Sequence, residues 1–138
     1  EVYRALDCLG QQEWRINERV FSVLEEAWEK KLAICDLPAQ FDHSEPAPLP
    51  TELERDPAAR KAHTHQCRRI RTMNNNLHSL RCDMKIKLRI AQQFRKESFF
   101  FPYNLDFRGR AYPLPPNFNH LGADSSRGIL QFAEGKPL

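Results

Sequence analysis

The sequence has no long apolar run, no closely spaced pair of cysteines and no internal repeat. No apolar stretch approaches the roughly 18–20 residues that a membrane-spanning helix needs, so no membrane partner is expected. Four cysteines without a C-x-x-C motif predict reduced thiols rather than a disulfide framework. The segment HTHQC, residues 63–67, contains three metal-ligating side chains but has no second ligand cluster, so no metal site is predicted in this sequence.

Neither a signal peptide nor a transit peptide is visible at the beginning of the sequence. The first residue is Glu1 and not methionine, and the last residues are EGKPL, without a polar tail. The 138 residues are enough for one ordinary domain, but these ends lead us to expect a piece of a longer protein.

The net charge of +3 conceals an uneven distribution along the chain. Residues 1–59 contain 6 Lys and Arg against 13 Asp and Glu, whereas residues 60–97 contain 11 against 2. Residues 98–138 are close to neutral, with 4 against 3. A basic middle segment beside an acidic one indicates a local polyanionic partner. A solvated basic helix face explains the charge equally well, and at this point both interpretations stay open.

Two segments show the period of an amphipathic helix, and a proline-rich connector separates them. In residues 11–34, apolar side chains recur every three or four positions from Trp14 to Leu32, which predicts a scaffold helix. Residues 38–57 contain five prolines. These prolines block helix continuation and predict an extended connector. A proline-rich docking ligand is the alternative interpretation of this connector.

The second helical pattern runs from about Ala58 to Glu97 and is strongly basic. Its apolar residues form a narrow seam from Ile70 to Ala91, near the heptad period, which suits packing against one antiparallel neighbour. We therefore expect a projecting helical hairpin with a basic flank. The three asparagines at 74–76 lower helix propensity and predict a bend or a frayed turn. The basic residues around the seam are Arg68, Arg69, Arg71, Arg81, Lys85, Lys87, Arg89, Arg95 and Lys96.

Residues 98–138 have the pattern of short strands, rigid loops and one short helix. The segment SFFFPY, residues 98–103, predicts a short buried strand. The segment SSRGILQFAEG predicts a short helix capped by Ser125 or Asp124 and ended at Gly135. The predicted fold class is mainly α with a short β- and loop-rich C-terminal part.

The segment DFRGRAY, residues 106–112, carries the sharpest binding pattern. An extended segment would place its even-numbered side chains on one face and turn Phe107 and Ala111 to the core. An arginine grips phosphate oxygens with two parallel hydrogen bonds, and a neighbouring carboxylate can hold its side chain in place beforehand. A glycine lets another backbone approach or lets the strand bulge. The predicted phosphate-binding face therefore consists of Asp106, Arg108, Arg110 and Tyr112, with Gly109 between the arginines.

A structural ion pair between Asp106 and an arginine at a strand edge is the alternative interpretation of the same segment. An exposed pair of that kind contributes only about 0–1 kcal/mol to stability.

A family resemblance is carried by the run FPYNLDFRGRAYPLPPNFNHLGADSSRGILQFAEGKPL, residues 101–138. This run resembles the start of the palm in the single-subunit, bacteriophage-type DNA-directed RNA polymerases, and is most similar to their mitochondrial branch. EWRIN, residues 13–17, is similar to the W-x-I-N segment that precedes the thumb of that family. The resemblance is strong over residues 99–138, weaker over residues 5–34 and loose across the connector.

The resemblance implies a fragment of a right-hand polymerase with a helical-hairpin thumb. Residues 1–37 would end the helical N-terminal region, residues 38–98 would form the thumb with its connector and long basic helix, and residues 99–138 would start the palm. In that family the thumb steadies the RNA–DNA hybrid, and the D-x-x-G-R box lines the cleft beside it. The residues that the resemblance assigns to nucleic acid are Asp106, Gly109 and Arg110, with Arg108 and Tyr112 as associates and Arg127 and Lys136 as weaker candidates.

The resemblance also implies the chemistry and the partners of the whole enzyme. The family is a nucleotidyltransferase that uses a DNA template, NTPs and a two-metal mechanism, with Mg²⁺ held by palm aspartates that lie outside this sequence. It implies neither a catalytic residue nor a metal ligand here, so Asp106 and Asp124 are not expected to bind Mg²⁺. The match of PPNFNHLG favours a mitochondrial location over a plastid one, with mitochondrial transcription factors as further partners.

Two other functions remain as alternatives to the polymerase fragment. The first is a non-catalytic helical module that binds nucleic acid. The second is a structural or interaction protein whose basic helix pairs with an acidic partner. For Arg127 and Lys136, an exposed basic residue or a helix-end charge is an equally good interpretation.

Overall fold

The computed structural model describes residues 1–135, and about half of them are helical. None of the helices in this range is both long and apolar enough to cross a membrane. In chain order the elements are α1 (Val2–Gly10), β1 (Glu13–Ile16), α2 (Glu18–Glu29), α3 (Pro57–Gln93), β2 (Phe99–Phe100), β3 (Tyr103–Leu105), β4 (Ala111–Pro113), α4 (Asp124–Ile129) and β5 (Leu130–Phe132).

The short strand β1 is the centre of a three-stranded antiparallel sheet. β2 pairs with one edge of β1, and β5 pairs with the other. Trp14 stands opposite Phe99 on one side and Phe132 on the other. This sheet therefore joins the beginning of the chain to its end.

The hydrophobic core lies between this sheet, one face of α2 and the last third of α3. Helix α2 contributes Phe21, Leu24 and Ala27, which are buried on one face. Of the long helix α3, only the residues near its end are buried. The remaining buried hydrophobic residues described by the structure are Trp14, Ile16, Leu37, Met84, Leu88, Ala91, Phe101, Phe118, Ile129 and Leu130.

The single helix predicted over residues 11–34 is wrong at its beginning and at its end. Trp14 and Ile16 point to the core and Arg15 to solvent, because this segment is strand β1. The helix begins after Asn17, whose side chain accepts a hydrogen bond from the main-chain N of Val20 at 3.4 Å. It ends at Glu29, and Lys31 takes a positive φ of 58°.

Helix α3 confirms the predicted long basic helix, but the predicted helical hairpin is wrong. The helix begins one residue before the predicted start, with Asp56 as its N-cap, and ends at Gln93. It continues without interruption through residues 74–76, so the predicted bend is wrong as well. Before Met84, the neighbour of α3 is the non-helical connector and not a second helix, and only the end of α3 packs with α2 in the core. Hydrogen bonds from Asn74, Arg81 and His63 hold the connector against α3.

The C-terminal part confirms a short strand in SFFFPY, but the prediction that the strand is buried and the predicted bounds of the short helix are wrong. Phe99 and Phe100 form β2, in which Phe99 is half-buried and Phe100 exposed, and Phe101 after it is buried. Helix α4 ends at Ile129 instead of Gly135, because the next residues pair with β1 as strand β5. Its N-cap position is Ala123, and neither Asp124 nor Ser125 caps it with a side chain.

Candidate nucleic-acid interface

The segment DFRGRAY forms the end of a β-hairpin and not an extended strand, so the predicted alternation of faces is wrong. Strands β3 and β4 pair antiparallel, with Leu105 opposite Ala111. The main-chain N of Asp106 donates to the carbonyl of Arg110 at 2.9 Å, and that of Gly109 donates to the carbonyl of Asp106 at 3.0 Å. This is a three-residue hairpin loop, in which a tight turn is followed by one residue in the left-handed region.

Gly109 is the residue in that left-handed position, with φ of 76°. A Cβ on this residue would have nothing within 4 Å, so the space around it is open. Backbone conformation alone therefore explains the glycine, since other residues adopt this φ at a cost.

The carboxylate of Asp106 holds the hairpin loop together. One oxygen accepts hydrogen bonds from the main-chain N of Arg108 and of Arg110, both at 2.9 Å. The other oxygen accepts from Nε of Arg108 at 3.0 Å. The hydrogen bond from the Arg110 backbone lowers the pKa of Asp106 most, desolvation opposes it, and the hydrogen bonds from Arg108 lower the pKa further. The carboxylate is thus fixed in its charged form as part of the loop.

The two guanidinium groups of the loop are exposed but are not equivalent. Arg108 pairs with Asp106 and lies over the ring of Phe107, 5.4 Å from its centroid. The guanidinium of Arg110 makes no hydrogen bond or ion pair with any residue from 1 to 135. Arg110 is therefore the cation of this loop that is available to a ligand.

Phe107 is at the tip of the hairpin and is 96 % exposed, so the prediction that it faces the core is wrong. The sequence contained the signal for this position. In a D-x-x-G hairpin loop the residue after the aspartate is at the tip, whatever its hydrophobicity. An exposed aromatic ring next to an arginine is a surface on which an unpaired base can stack.

The other predicted site residues lie outside the loop. Tyr112 is on β4 opposite Asn104 and is 40 % exposed. Arg127 is exposed on α4 and pairs with Asp124 one turn away. Lys136 lies outside the described residues. The structure thus brings together Asp106, Arg108, Gly109 and Arg110 and leaves Arg127 on a different element.

The hairpin is fixed to the core through Tyr103 at its base. The hydroxyl of Tyr103 lies 3.2 Å from Nε2 of His120, and the imidazole of His120 stacks on the indole of Trp14. Burial lowers the pKa of His120 and raises that of Tyr103, because it disfavours the charged form of each. A neutral polar contact therefore positions the hairpin.

A second basic surface runs along α3 and is called here the cationic face. On an ideal helix its six side chains fall within roughly 120° around the axis and span about 44 Å along it. All six are exposed, and none of them pairs with an acidic side chain of residues 1–135. The cationic face consists of Arg60, Lys61, Arg68, Arg71, Lys85 and Arg89.

Three of the basic residues noted from the sequence have structural roles instead. Arg81 pairs with Asp42, and Lys87 pairs with Asp83. Arg95 lies within 3.6 Å of carboxylates on α2 and over the ring of Phe21. These three charges are neutralised within the protein and contribute less to a polyanion site.

The described residues do not form a metal site. Between residues 1 and 135 no three side chains of His, Cys, Asp or Glu come close enough to share an ion. His63 and Cys67 are one helical turn apart, with 3.8 Å between Nδ1 and Sγ. Both carboxylate oxygens of Asp106 already accept hydrogen bonds from Arg108 and Arg110. The resemblance places the ligands of Mg²⁺ outside this sequence, and no described residue is assigned to that ion.

Comparison with known proteins identifies relatives across the whole chain. No family model matches. The chain is 46 % identical over 139 aligned positions to DNA-directed RNA polymerase 2, chloroplastic/mitochondrial, of Nicotiana sylvestris. It is 41 % identical to the mitochondrial DNA-directed RNA polymerase of Neurospora crassa and 43 % identical to DNA-directed RNA polymerase 1, mitochondrial, of Arabidopsis thaliana.

Each of these alignments covers 99–100 % of the chain but only 10–14 % of the relative. The chain therefore spans about a tenth to a seventh of the length of the curated relatives it matches. Its homologues are organellar, phage-type DNA-directed RNA polymerases, mitochondrial ones among them, and the chain aligns with one segment of each.

Proposed function

We propose that this chain is the part of an organellar DNA-directed RNA polymerase that grips the template and the RNA–DNA hybrid. One observation carries this proposal: Asp106 locks a hairpin loop that leaves the guanidinium of Arg110 exposed and without an acidic partner in residues 1–135. An arginine on a rigid loop loses less entropy when it binds a phosphate, so the preformed loop favours binding.

The cationic face of α3 supports the same function from a second element. A run of exposed cations about 44 Å long can follow several phosphates of a nucleic-acid backbone. Contacts of this kind give affinity and position without reading the base sequence. They suit an enzyme that must hold every sequence it transcribes.

Phe107 and Tyr112 complete the hairpin as a surface for bases and sugars. The exposed ring of Phe107 offers a stacking surface, and the hydroxyl of Tyr112 can donate to a sugar or phosphate oxygen. Arg127 and Lys136 remain secondary candidates for phosphate contacts, and the charge of Arg127 is already shared with Asp124.

The division of the chain into polymerase parts belongs to this proposal. Residues 1–37 would end the N-terminal region, residues 38–98 would be the thumb and residues 99–138 the start of the palm. Mg²⁺ and NTPs would bind to parts of the enzyme outside this chain. The mitochondrion is the proposed location, and its transcription factors are proposed partners, because of the match of PPNFNHLG to the mitochondrial branch. Relatives named as mitochondrial and relatives named as chloroplastic both align over the whole chain.

The experiment is performed in the full-length polymerase that carries this segment. Arg110→Ala should release a preformed RNA–DNA hybrid faster than the wild type, because one phosphate contact is lost. Arg4→Ala removes an exposed arginine from α1 and is the matched control. Equal release rates for Arg110→Ala and Arg4→Ala would show that Arg110 does not contact the hybrid.

A non-catalytic nucleic-acid-binding module is the second candidate function. It is favoured by the exposed cationic face of α3, which can bind a nucleic-acid backbone without any catalytic group. Primer extension with NTPs and Mg²⁺ separates the two candidates when it is run on the complete natural protein. Extension supports the polymerase, whereas hybrid binding without extension supports the module.

A further inference from the structure

Residues 38–50 of the proline-rich connector lie along α3 and are called here the strap. Three α3 side chains hold it by its main chain. Asn74 makes two hydrogen bonds to His43, accepting from its N at 2.8 Å and donating to its carbonyl at 3.0 Å. Arg81 donates to the carbonyl of Ala39 at 2.8 Å, and Nε2 of His63 lies 2.9 Å from the carbonyl of Ala47.

These three side chains stand on one side of the helix. They are 11 and 7 residues apart, so on an ideal helix they lie within about 20° of a common direction. The strap runs antiparallel to α3, because its successive contacts go from Arg81 to Asn74 to His63. The hydrogen bonds to Ala39, His43 and Ala47 all involve main-chain atoms, so they require an extended backbone more than particular strap side chains.

The strap is also fixed to the core at its beginning. Leu37, directly before it, is buried. Nε2 of Gln40 donates to the carbonyl of Trp28 at 2.7 Å, and the ammonium group of Lys31 lies over the ring of Phe41. The strap thus connects the core to the side of α3.

Helix α3 itself is anchored to the core only near its end. Met84, Leu88 and Ala91 are its buried residues, whereas every residue of α3 before Met84 is exposed or half-buried. The part from Pro57 to Asp83 extends about 40 Å beyond this anchor. In the described chain, the strap supplies the long-range hydrogen bonds along this part.

We infer that the strap fixes the angle of the projecting part of α3 relative to the core. Asn74 is the residue that positions the strap on the helix. Asn74 binds both main-chain groups of one strap residue, so it sets the register of the strap along the helix. One consequence rests on the proposed function. By fixing the angle of α3, the strap keeps the cationic face at a constant distance from the hairpin loop.

The test compares Asn74→Ala with Asn75→Ala in the full-length protein. Asn75 is an exposed neighbour of the same type on the same helix, and its side chain makes no hydrogen bond within residues 1–135. Amide hydrogen exchange at His43 should accelerate about fivefold in Asn74→Ala, the loss expected for one hydrogen bond, and stay unchanged in Asn75→Ala. Asn74→Asp keeps the acceptor for the His43 N and should fall between them.

The angle of the helix is measured separately, as the distance distribution between spin labels placed at His65 on α3 and Arg19 on α2. We expect a broader distance distribution in Asn74→Ala and a wild-type distribution in Asn75→Ala. Unchanged exchange at His43, or an unchanged distribution despite faster exchange, would overturn the inference. Neither readout depends on nucleic acid. A negative result for the strap is therefore distinguishable from a negative result for the phosphate contact of Arg110.

Discussion

The indole of Trp14 is stacked on the imidazole of His120, with ring centroids 5.1 Å apart and planes inclined by 12°. Trp14 is on the central strand of the sheet, and His120 belongs to the loop after the hairpin. The contact therefore links the core to the candidate site, and its energy depends on the charge of His120.

We expect stability to fall as the pH drops below about 6.5 because of His120. Its pKa in the folded protein is lower than the ordinary value of 6.5, so the unfolded chain takes up the proton first. The contribution of the neutral imidazole is complete above that value and is lost as the pH falls towards the folded-state pKa. Urea unfolding at pH 7.5 and at pH 5 measures the change.

His120→Gln is the control for this pH dependence. It should be less stable at pH 7.5 but should lose less stability on acidification than the wild type. An equal loss in both proteins would assign the effect to other groups.

Gly109→Ala should lower the free energy of unfolding by about 1–2 kcal/mol, because alanine pays for the left-handed conformation. Gly135→Ala is the matched control, since neither glycine has an atom within 4 Å of an added Cβ and only Gly109 has a positive φ. Thermal or urea unfolding of both variants gives the comparison. Equal stability of the two would show that the loop rearranges without strain.

Phe21→Ala should destabilise the protein by about 3–5 kcal/mol, since it removes a large side chain from the core. Phe21 is 0 % exposed and packs under the guanidinium of Arg95. Val23→Ala, on the exposed side of the same helix, should change the stability by no more than about 0.5 kcal/mol. Similar losses for both would contradict the described orientation of α2.

Arg89→Ala should weaken hybrid binding to a similar degree for all sequences, because a phosphate contact carries no base information. Lys87→Ala is the comparison, since the Lys87 ammonium already pairs with Asp83 at 2.6 Å and adds little free charge. Binding measured on several unrelated hybrids tests both points. A strong sequence dependence of the Arg89→Ala effect would argue against a backbone contact.

The long elements could be predicted from the sequence, and the short ones could not. Helix α3 has enough turns for its periodic pattern to identify it within a few residues. Strand β1 has four residues, and its spacing also fits a helix. Its pairing with β2 and β5, which come more than eighty residues later, decides its conformation.

The residues assigned to the candidate site stay a prediction, whereas the geometry predicted for them was wrong. An arginine pair next to an aspartate and a glycine indicated a phosphate site, and both guanidinium groups are exposed. The assumption of an extended chain gave the wrong position for Phe107. The packing of the strap against α3 could not be predicted, because the strap has no periodic pattern. Asn74 and Arg81 bind its main-chain atoms, which every sequence has.

The salt dependence of hybrid binding by Arg110→Ala shows whether the guanidinium of Arg110 neutralises a phosphate. If Arg110 neutralises one phosphate, the slope of log affinity against log salt becomes shallower by about 0.7–0.9 in the variant, while Arg4→Ala keeps the wild-type slope. Asp106→Asn, which loosens the loop but keeps Arg110, should weaken binding with a nearly unchanged slope. An Arg110→Ala slope equal to that of the wild type would contradict the account.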